Sequence, residues 1–449
     1  MKKIAVVVLG IGVLSSLWAQ PSGTQQLTLK DALRIALDQN VSVRQAENNV
    51  QAAQSGVLAA YGSYLPTLGA TGSWTRQQTE RPASTQIIAG VPIPLPATST
   101  TTSYYSTGLS LGYTIFDGFS REANFNRAVS NSTSTELQSA RTRQQIVFQV
   151  QSSYFNVLRT EQLVKVGEEN LKRDQRQLDR ITESNRVGSL SLADVYRQQS
   201  VVATDELNLI SAQNNFDKAK ADLLSLIGSD VGMNVTVADP SISTDISKEE
   251  LDTVSAVTAQ FGQIRQLAMQ TRPDYQGAKE GFDAASSGVT AAWSRYFPSV
   301  SASAGYSLSA TEFANLKDQK GINWGINIRW NLFDGFATNQ GIQSAQAVKR
   351  NAELTLLQTE RNINVDVKKA LLDLEAARKQ YEASEKSVLS ATQDRRVAEE
   401  RYNLGAGTLL DLLTANAGYV NAQASLVNAT YNYVTARKNL EYATGALTY

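Results

Sequence analysis

Few side chains in this sequence of 449 residues could carry out chemistry, because it contains no cysteine and no histidine. Their absence excludes disulfides, a cysteine nucleophile, thiolate or imidazole metal sites and a Ser-His-Asp triad. There is no Gly-x-x-x-x-Gly-Lys phosphate loop, so nucleotide hydrolysis is not expected. The acids of residues 229–251 are interpreted as solvated surface. We therefore predict a protein that is not an enzyme and uses no cofactor or metal.

Two carboxylates stand out by their spacing. Asp194 lies three residues after Ser191, and Asp411 lies three residues after Thr408. Both pairs have the spacing of a capping box, in which a hydroxyl and a carboxylate accept hydrogen bonds from backbone N–H groups at a helix start. Helix capping is sufficient to explain both aspartates, and a second role for them is left open at this point.

Apolar residues seven positions apart predict the long helices that must position these carboxylates. From Val150 to Leu178 a valine or leucine recurs at every seventh position, within one predicted helix that ends near Arg186 and is roughly 100 Å long. A return helix is predicted from Ser191 to about Gly228. The last helix, residues 408–443, has two apolar rows side by side, so it requires neighbours on both sides. These rows are Leu412, Ala415, Tyr419, Ala422, Leu426, Ala429, Tyr433, Ala436, Leu440 and Ala443, and Leu413, Val420, Val427 and Val434.

Four segments have an apolar residue at every second position, which predicts β-strands. They are residues of about 66–76, 105–115, 298–308 and 323–333. In the last segment an apolar face is opposite a polar face that includes Asn327 and Arg329. This pattern over about ten residues is typical of a strand in a lipid-facing β-barrel, and a soluble sandwich is the alternative. The insert between the first two segments contains Pro92, Pro94 and Pro96 and is predicted to be a loop.

The first 19 residues have the order of a secretory signal: Lys2 and Lys3, an apolar run at residues 4–14, and small residues up to Ala19. We predict cleavage after Ala19, with an uncleaved anchor as the alternative. Without cysteine there is no site for a lipoprotein anchor. No other stretch has 18 consecutive apolar residues, so any membrane segment of the mature protein is expected to be a strand. The formal net charge is zero, which gives no indication of a nucleic-acid partner.

The chain is predicted to be a tandem repeat, because two motifs recur in order. Tyr64-Leu65-Pro66 returns 232 positions later as Tyr296-Phe297-Pro298, and Phe116-Asp117-Gly118-Phe119 returns 217 positions later as Phe333-Asp334-Gly335-Phe336. We divide the chain into a signal peptide at 1–19, a first repeat at 20–228, a connector at 229–255 and a second repeat at 256–449. The helical hairpins are predicted at 120–228 and 337–443.

Four strands per chain cannot close a barrel, and open sheet edges are not tolerated in lipid. Two copies would give eight strands, whose interior is nearly filled by side chains, whereas three copies give twelve strands and can leave a lumen. The long helices would continue from one end of these strands and close into a second, helical cylinder. The fold class is therefore predicted to be mixed and mainly α: a trimeric α-barrel of antiparallel coiled coils, continuous with a 12-stranded transmembrane β-barrel.

The sequence resembles the TolC-type outer-membrane efflux proteins over essentially the whole mature length. The resemblance is carried by Leu27-Thr28-Leu29-Lys30-Asp31-Ala32-Leu33, by the two Phe-Asp-Gly-Phe turns, and by residues 401–413, RYNLGAGTLLDLL. Relatives often have a proline directly after the position of Asn40, where this chain has Val41. The resemblance implies a homotrimer with a barrel in outer-membrane lipid, a periplasmic helical tunnel, and an equatorial belt formed by residues 229–255, the N-terminal helix and the C-terminal tail.

The function implied by the resemblance is a passive exit duct that receives small molecules from an inner-membrane transporter through a periplasmic adaptor protein. The same architecture could serve as the outer-membrane channel of a type I protein secretion system, and the sequence does not separate the two. A trimeric coiled-coil surface protein would share the heptads, but it would have strands only at its C-terminus. The substrate, the cognate pump and the resting state of the entrance are not determined by the sequence.

The resemblance also implies roles for residues near the turns of the helical hairpins. Asp194, Tyr402, Asp411 and Thr414 match a periplasmic gate, where three copies of Asp411 would form a carboxylate ring. Relatives commonly have a second acid at the position of Thr414 and an arginine at that of Gly407. This chain differs at both positions, which weakens its match to the gate of the relatives. The residues expected to contact the adaptor are Val187, Gly188, Ser189, Leu404, Gly405 and Ala406.

Overall fold

The computed structural model describes residues 25–238 and 246–447 of a mainly helical chain. The predicted signal peptide at 1–19 and part of the predicted connector lie outside these residues. The helices are α1 (Leu29–Gln39), α2 (Val41–Gly62), α3 (Ser120–Arg186), α4 (Leu192–Ile227), α5 (Lys248–Thr258), α6 (Phe261–Thr271), α7 (Pro273–Trp293), α8 (Ala337–Asn403) and α9 (Leu409–Thr444). The strands are β1 (Gln25–Leu27), β2 (Thr67–Arg81), β3 (Ser84–Ile88), β4 (Val91–Leu95), β5 (Thr98–Phe116), β6 (Val235–Val237), β7 (Ser299–Ala310) and β8 (Gln319–Arg329). Among the described residues, none of the helices has the length and apolar character needed to cross a membrane.

The two copies of the repeat correspond element by element. Helices α3 and α8 each have 67 residues, and α4 and α9 each have 36. Helices α1 and α2 correspond to α6 and α7 at the 232-position offset, so the second copy begins at α6. The boundary predicted at residue 256 falls inside α5 and is therefore misplaced. At the position of Val41 the second copy has Pro273, which begins α7 as a first-turn proline does.

A four-stranded antiparallel sheet has the order β2-β5-β7-β8. Its register repeats as well, because Thr67 pairs with Gly112 in the first copy and Ser299 pairs with Arg329 in the second. Strands β2 and β8 are the open edges. The apolar face of the sheet is exposed in the single chain, as shown by Leu68, Trp74, Leu109, Leu111, Tyr113, Ile322, Trp324, Ile326 and Ile328.

Several predicted strand boundaries were wrong. Strands β2 and β5 pair up to Arg81 and Thr98, well beyond the predicted residues 66–76 and 105–115. The insert predicted as a loop contains the hairpin β3–β4, which turns at Ala89 and Gly90, both at positive φ. Strand β4 contains Pro92 and Pro94. Both are tolerated because the β3–β4 hairpin lies outside the main sheet and the outer edge of β4 needs no N–H donor. The last strand ends at Arg329, so Trp330 and Leu332 lie beyond it.

The helices form a layer in which α3 lies in the middle and α8 lies at an edge. Helix α3 packs against α2, α4, α7 and α9, whereas α8 packs against α7 and α9 on one side. The largest core lies where α1, α3, α4 and α9 meet, with Tyr154 and Leu223 fully buried. A second core between α5, α8 and α9 buries Tyr433, Leu374 and Leu251.

Short elements are attached to the helices at mid-length. Strand β1 pairs in parallel with β6, and α1 packs on α3 and α4. Thr28 caps α1 by accepting a hydrogen bond from the Asp31 N–H at 3.2 Å. Helices α5 and α6 pack on α8. Among these elements, α1, β6 and most of α5 lie in the segments expected to form the equatorial belt.

Candidate functional site

The first hairpin turn, residues 187–191, is called here the first tip. Helix α3 ends at Arg186, and Gly188 adopts φ 80°. The N–H of Ser189 donates to the Ser184 carbonyl at 2.9 Å, and the N–H of Gly188 donates to the Asn185 carbonyl at 2.9 Å. This pair of bonds is a Schellman motif, which satisfies the last carbonyls of the helix and requires a residue that tolerates the left-handed region.

The second hairpin turn, residues 404–408, is called the second tip and has the same geometry. Gly405 adopts φ 71°, the N–H of Ala406 donates to the Arg401 carbonyl at 2.9 Å, and the N–H of Gly405 donates to the Tyr402 carbonyl at 3.0 Å. A Cβ at either glycine would meet no described atom within 4 Å. Both tips therefore present bare backbone at an open surface.

The two aspartates lie in the first turns of the return helices, which are capped by Ser191 and Thr408. The Asp194 N–H donates to the Ser191 hydroxyl at 3.3 Å, and the Asp194 carboxylate also lies 3.3 Å from Arg197. At the second tip the box is complete: the Asp411 N–H donates to the Thr408 hydroxyl at 3.2 Å, and the Thr408 N–H donates to the Asp411 carboxylate at 3.0 Å. The predicted capping box is confirmed at the second tip, whereas at the first tip the Ser191 hydroxyl caps α4 and the Asp194 carboxylate accepts a hydrogen bond from that hydroxyl at 2.8 Å.

The Asp411 carboxylate is fully exposed to solvent in the single chain. Hydrogen bonds from the backbone N–H and then the hydroxyl of Thr408 hold its pKa below the usual value, and Arg401 adds to the effect. The group is therefore ionised at neutral pH. A fixed negative charge at the end of a hairpin remains compatible with a carboxylate ring, for which Asp411 stays a candidate.

Tyr402 and Thr414, the other predicted gate residues, differ in environment. Tyr402 packs against the apolar cluster formed by Ile181, Val195 and Leu409, and its hydroxyl is buried without a hydrogen-bond partner among the described residues. Burial raises its pKa, and the nearby charge of Asp194 raises it further, so the structure brings Tyr402 and Asp194 together. Thr414 is exposed and donates to the carbonyl of Leu410 at 2.9 Å.

Apolar side chains surround both tips. Val187 is 70 % exposed and Leu404 is 83 % exposed, and they occupy equivalent positions at the two helix ends. Leu192 and Leu410, at the starts of the return helices, are also exposed. Exposed apolar residues next to bare glycine backbone form a surface suited to another protein, which agrees with the adaptor role expected for residues 187–189 and 404–406.

Sequence reasoning missed a cluster of buried polar residues some distance from the tips. Asp174 and Gln198 are buried between α3 and α4, and Asp205 lies next to them on α4. A signal for them was present: Gln198 and Asp205 stand three positions after Val195 and Val202, at the second core position of the heptad, where apolar residues are expected. Among the described residues, no group of three or more acids is arranged to hold a metal ion.

Comparison with known proteins gives the class and the family. The sequence profile of the family described as "Outer membrane efflux protein" matches residues 32–229 and 264–446. The probable efflux pump outer membrane protein TtgC of Pseudomonas putida is 25 % identical over 429 residues, which cover 93 % of this chain and 82 % of TtgC. The outer membrane protein TolC of Salmonella enteritidis is 23 % identical over 449 residues, which cover 100 % of this chain and 87 % of TolC. The crystal structure of the outer membrane protein VceC of Vibrio cholerae has a TM-score of 0.76 at 21 % identity, and the match covers 93 % of this chain and 96 % of VceC.

A tandem repeat whose apolar-faced sheet continues into two long helical hairpins defines a channel protein of the outer membrane. The family match extends over most of both repeats. The chain belongs to the outer membrane efflux protein family, which consists of channel proteins rather than enzymes, and it functions in the outer membrane as an efflux channel.

Proposed function

We propose that three copies of this chain close into a trimeric exit duct for small molecules, with twelve strands in the outer membrane and a helical tunnel in the periplasm. The proposal is supported most strongly by one difference between the two Phe-Asp-Gly-Phe turns. A Cβ at Gly118 would lie 2.5 Å from the Ser294 carbonyl oxygen, whereas a Cβ at Gly335 would meet no described atom within 4 Å. The first turn is thus covered by residues of the second repeat, whereas the second turn is uncovered in the single chain.

The chain has two open sides that could pair with each other in neighbouring copies. One side consists of β2, α2 and α4, and the other consists of β8 and α8. Exposed apolar residues line both sides, among them Leu207 and Ile210 on α4 and Leu389 and Val397 on α8. Unpaired strand edges and an apolar helix face favour association with a further copy of the chain.

The repeat predicts how two copies meet. Within one chain, the contact between copies of the repeat pairs β5 with β7, and Ser110 lies opposite Gly305. Applying the 217- and 232-position offsets, β8 of one protomer would pair with β2 of the next, with Asn327 opposite Ser73. Because this contact is head-to-tail, it forms a closed ring when the rotation between copies permits. Three copies provide twelve strands, a number that leaves a lumen.

The helical hairpins would form the periplasmic part of the duct. The tips then lie at the end farthest from the membrane, where Asp194, Tyr402, Asp411 and Thr414 would line or hold the entrance. The exposed residues Val187 and Leu404, with the neighbouring glycines, would contact a periplasmic adaptor that joins the duct to an inner-membrane pump. TtgC, which is described as part of an efflux pump, supports this assignment.

The experiment that tests the duct is oxidative cross-linking between protomers. The chain has no cysteine of its own, so Ser73→Cys with Asn327→Cys introduces one defined pair. Directly opposite residues in an antiparallel pair are close enough for a disulfide, whereas a diagonal pair is about 7–8 Å apart. We expect a cross-linked trimer from this variant in outer membranes. The matched control, Ser73→Cys with Gly325→Cys, is two residues out of register and should give little product.

Cross-linking that stops at a dimer, or equal yields from the two variants, would contradict the proposed ring. Conduction is then tested with the uncross-linked trimer in a planar bilayer, where a water-filled lumen gives stable ion conductance. If the cross-linking identifies the trimer but the uncross-linked trimer shows no conductance, the duct is contradicted and the assembly is not.

A further inference from the structure

Two carboxyl groups are buried against each other between α3 and α4. Asp174 is 3 % exposed and Asp205 is 8 % exposed. One oxygen of each, Oδ1 of Asp174 and Oδ2 of Asp205, is buried without a hydrogen-bond donor among the described residues. Two ionised carboxylates can only accept hydrogen bonds, so they cannot satisfy each other. A single proton on either group turns it into a donor and resolves the conflict.

The charged and titratable groups around this pair do not neutralise it fully. On α3, the guanidinium of Arg173 lies 3.7 Å from Asp174, and its own Nε is buried without a partner. Arg395 on α8 and Tyr419 on α9 are the other ionisable side chains near Arg173, and Arg395 lies over the Tyr419 ring at 4.1 Å. One arginine thus faces two carboxyl groups at close range.

The electrostatic environment of Asp205 agrees with a retained proton. Burial is the main cause, and the hydrogen bond and the charge of Asp174 add to it, so the pKa of Asp205 rises to about 7, although Arg173 acts in the opposite direction. Like charges brought together in a desolvated site cannot both ionise at the usual pH. Half-ionisation near neutral pH follows from this arrangement.

A cavity of about 530 Å³ lies next to the pair and separates α4 from α9. Both aspartates line it, together with Asn208 of α4 and Thr414, Asn416 and Asn421 of α9. The side chains contributed by α9 to this lining are uncharged. The cavity is open to solvent, so its water can reach the pair when the pair becomes doubly charged, and α9 supplies no cation to oppose the charge.

The second hairpin has no such pair. At the positions that correspond to Asp174, Gln198 and Asp205, it has Ala391, Ala415 and Ala422. Ala415 and Ala422 are both buried in the second hairpin, which has the same length. A hairpin of this geometry thus forms without buried acids, and the acids of the first hairpin need another explanation.

We propose that Asp174 and Asp205 share one proton, and that loss of this proton loosens the packing of α4 against α3. Two like charges then remain in a desolvated contact, and water from the neighbouring cavity enters this contact. The first hairpin becomes a pH-sensitive element, whereas the second does not. The change in packing concerns the hairpin itself and does not rest on the proposed function.

Infrared spectroscopy of the purified protein tests the shared proton directly. Ordinary carboxyl groups are ionised above about pH 6, so a protonated carboxylic acid that disappears between about pH 6 and pH 8 reports a displaced pKa. We expect this band in the wild type and in Glu206→Gln, which removes the exposed acid next to Asp205. The band should be absent from Asp205→Asn. Absence from the wild type, or persistence in Asp205→Asn, would overturn the proposal.

Hydrogen exchange of backbone amides tests the loosening. Comparing the wild type with Asp205→Asn at the same pH cancels the intrinsic dependence of exchange on pH. We expect equal protection of residues 198–208 at about pH 6, and several-fold faster exchange in the wild type at about pH 8. Residues 415–425 of the second hairpin provide an internal control and should behave alike in both proteins.

Two results would overturn the conformational part of the proposal. One is equal exchange of residues 198–208 in both proteins at about pH 8. The other is full protection of the wild type at this pH that depends on added CaCl₂, because the pair would then be a cation site. These outcomes are independent of the duct, since a protein that passes the cross-linking and conductance tests but fails here refutes only this inference.

Discussion

The two Phe-Asp-Gly-Phe turns have nearly the same local structure and quite different surroundings. Gly118 and Gly335 have φ of 68° and 67°, and the flanking phenylalanine rings meet edge to face at 5.5 Å and 5.6 Å. The first turn nevertheless fits closely against Ser294 and Phe297, while the second contacts nothing described at the glycine. Short-range sequence sets the turn, and the neighbouring repeat sets its environment.

This difference shows that the surface at the second turn has no partner within the single chain. The residues that cover the first turn belong to the start of the second repeat, and their counterparts at the start of the first repeat are Gly62 and Leu65. In a ring of identical chains, Gly62 and Leu65 of the next protomer would cover the second turn. Four predictions test how far this equivalence extends, beginning with the largest effect.

The largest effect is expected from alanine at the two turn glycines. In Gly118→Ala, a methyl group enters space held by the Ser294 carbonyl, and the left-handed backbone adds strain. Together these should lower the free energy of unfolding by about 4 kcal/mol. If Gly335 is covered by a neighbour, Gly335→Ala should reduce the thermal stability of the trimer by a similar amount.

Thermal unfolding of the purified trimers measures both glycine variants. If Gly335→Ala loses only the roughly 1–2 kcal/mol of backbone strain, the second turn is uncovered in the assembly as well. The equivalence of the two contacts would then be broken. Gly262→Ala in α6, where a Cβ would meet no described atom within 4 Å, provides a control for handling losses.

The next effect concerns the buried acids, which only the first hairpin has. The pKa of Asp205 is about 7 in the folded chain and near 4 when unfolded, so the folded state retains a proton that the unfolded state releases. The free energy of unfolding should therefore decrease as pH rises from about 4 to about 7, by about 3 kcal/mol in all.

Giving the first hairpin the residues of the second removes this dependence. Asp174→Ala with Asp205→Ala should flatten the pH profile of stability and make the protein more stable at about pH 8 by roughly 1–3 kcal/mol. Melting curves from about pH 5 to about pH 8 measure it. An unchanged slope in the double variant would assign the pH dependence to other groups.

A smaller effect is expected at the tips, where both copies have the same open turn. Gly188→Ala and Gly405→Ala should each lower the free energy of unfolding by about 1–2 kcal/mol, because alanine is strained at positive φ. Gly405→Asn keeps the turn, since asparagine tolerates this backbone region, but adds a side chain to the surface. Near wild-type stability with reduced efflux would support adaptor contact, whereas full efflux would contradict it.

The smallest effect on stability is expected at the two capping aspartates, and here the copies should differ in conductance. If Asp411 forms a ring, Asp411→Ala should weaken the block of conductance by cobalt added on the periplasmic side. The block should not change between about pH 5 and pH 8 in the wild type, because the pKa of Asp411 lies below its usual value. Asp194→Ala makes the same change in the first copy and shows whether that carboxylate also contributes, and equal block in the wild type and Asp411→Ala would leave Asp411 as a helix cap.

Much of the fold was accessible from the sequence because its signals are local and periodic. The heptads of α3 and α9, the turn glycines and the capping hydroxyls each depend on residues close in the chain. The strand ends were less accessible. Residues 75–81 and 98–104 are polar and show no strong alternation, so only their pairing with each other keeps them extended.

Some parts of the candidate site depend on residues close in the sequence, and others depend on residues that are far apart. The tips and the caps could be located from spacing, since a capping box occupies four consecutive positions. The Asp174–Asp205 pair could not, because the two residues are 31 positions apart and become neighbours only when α4 folds back along α3. The displaced pKa arises from that contact and from burial, and neither can be read from composition.

By itself the sequence determined the helices, the tandem repeat, the turns and the family, because each follows from short spacings or from matching motifs. Tertiary structure decided which copies of a motif are covered and which are open, which polar groups share a buried contact, and where the sheet edges lie. The physical reason is that burial and pairing depend on distant segments meeting, and identical local sequences acquire different energies once their neighbours differ.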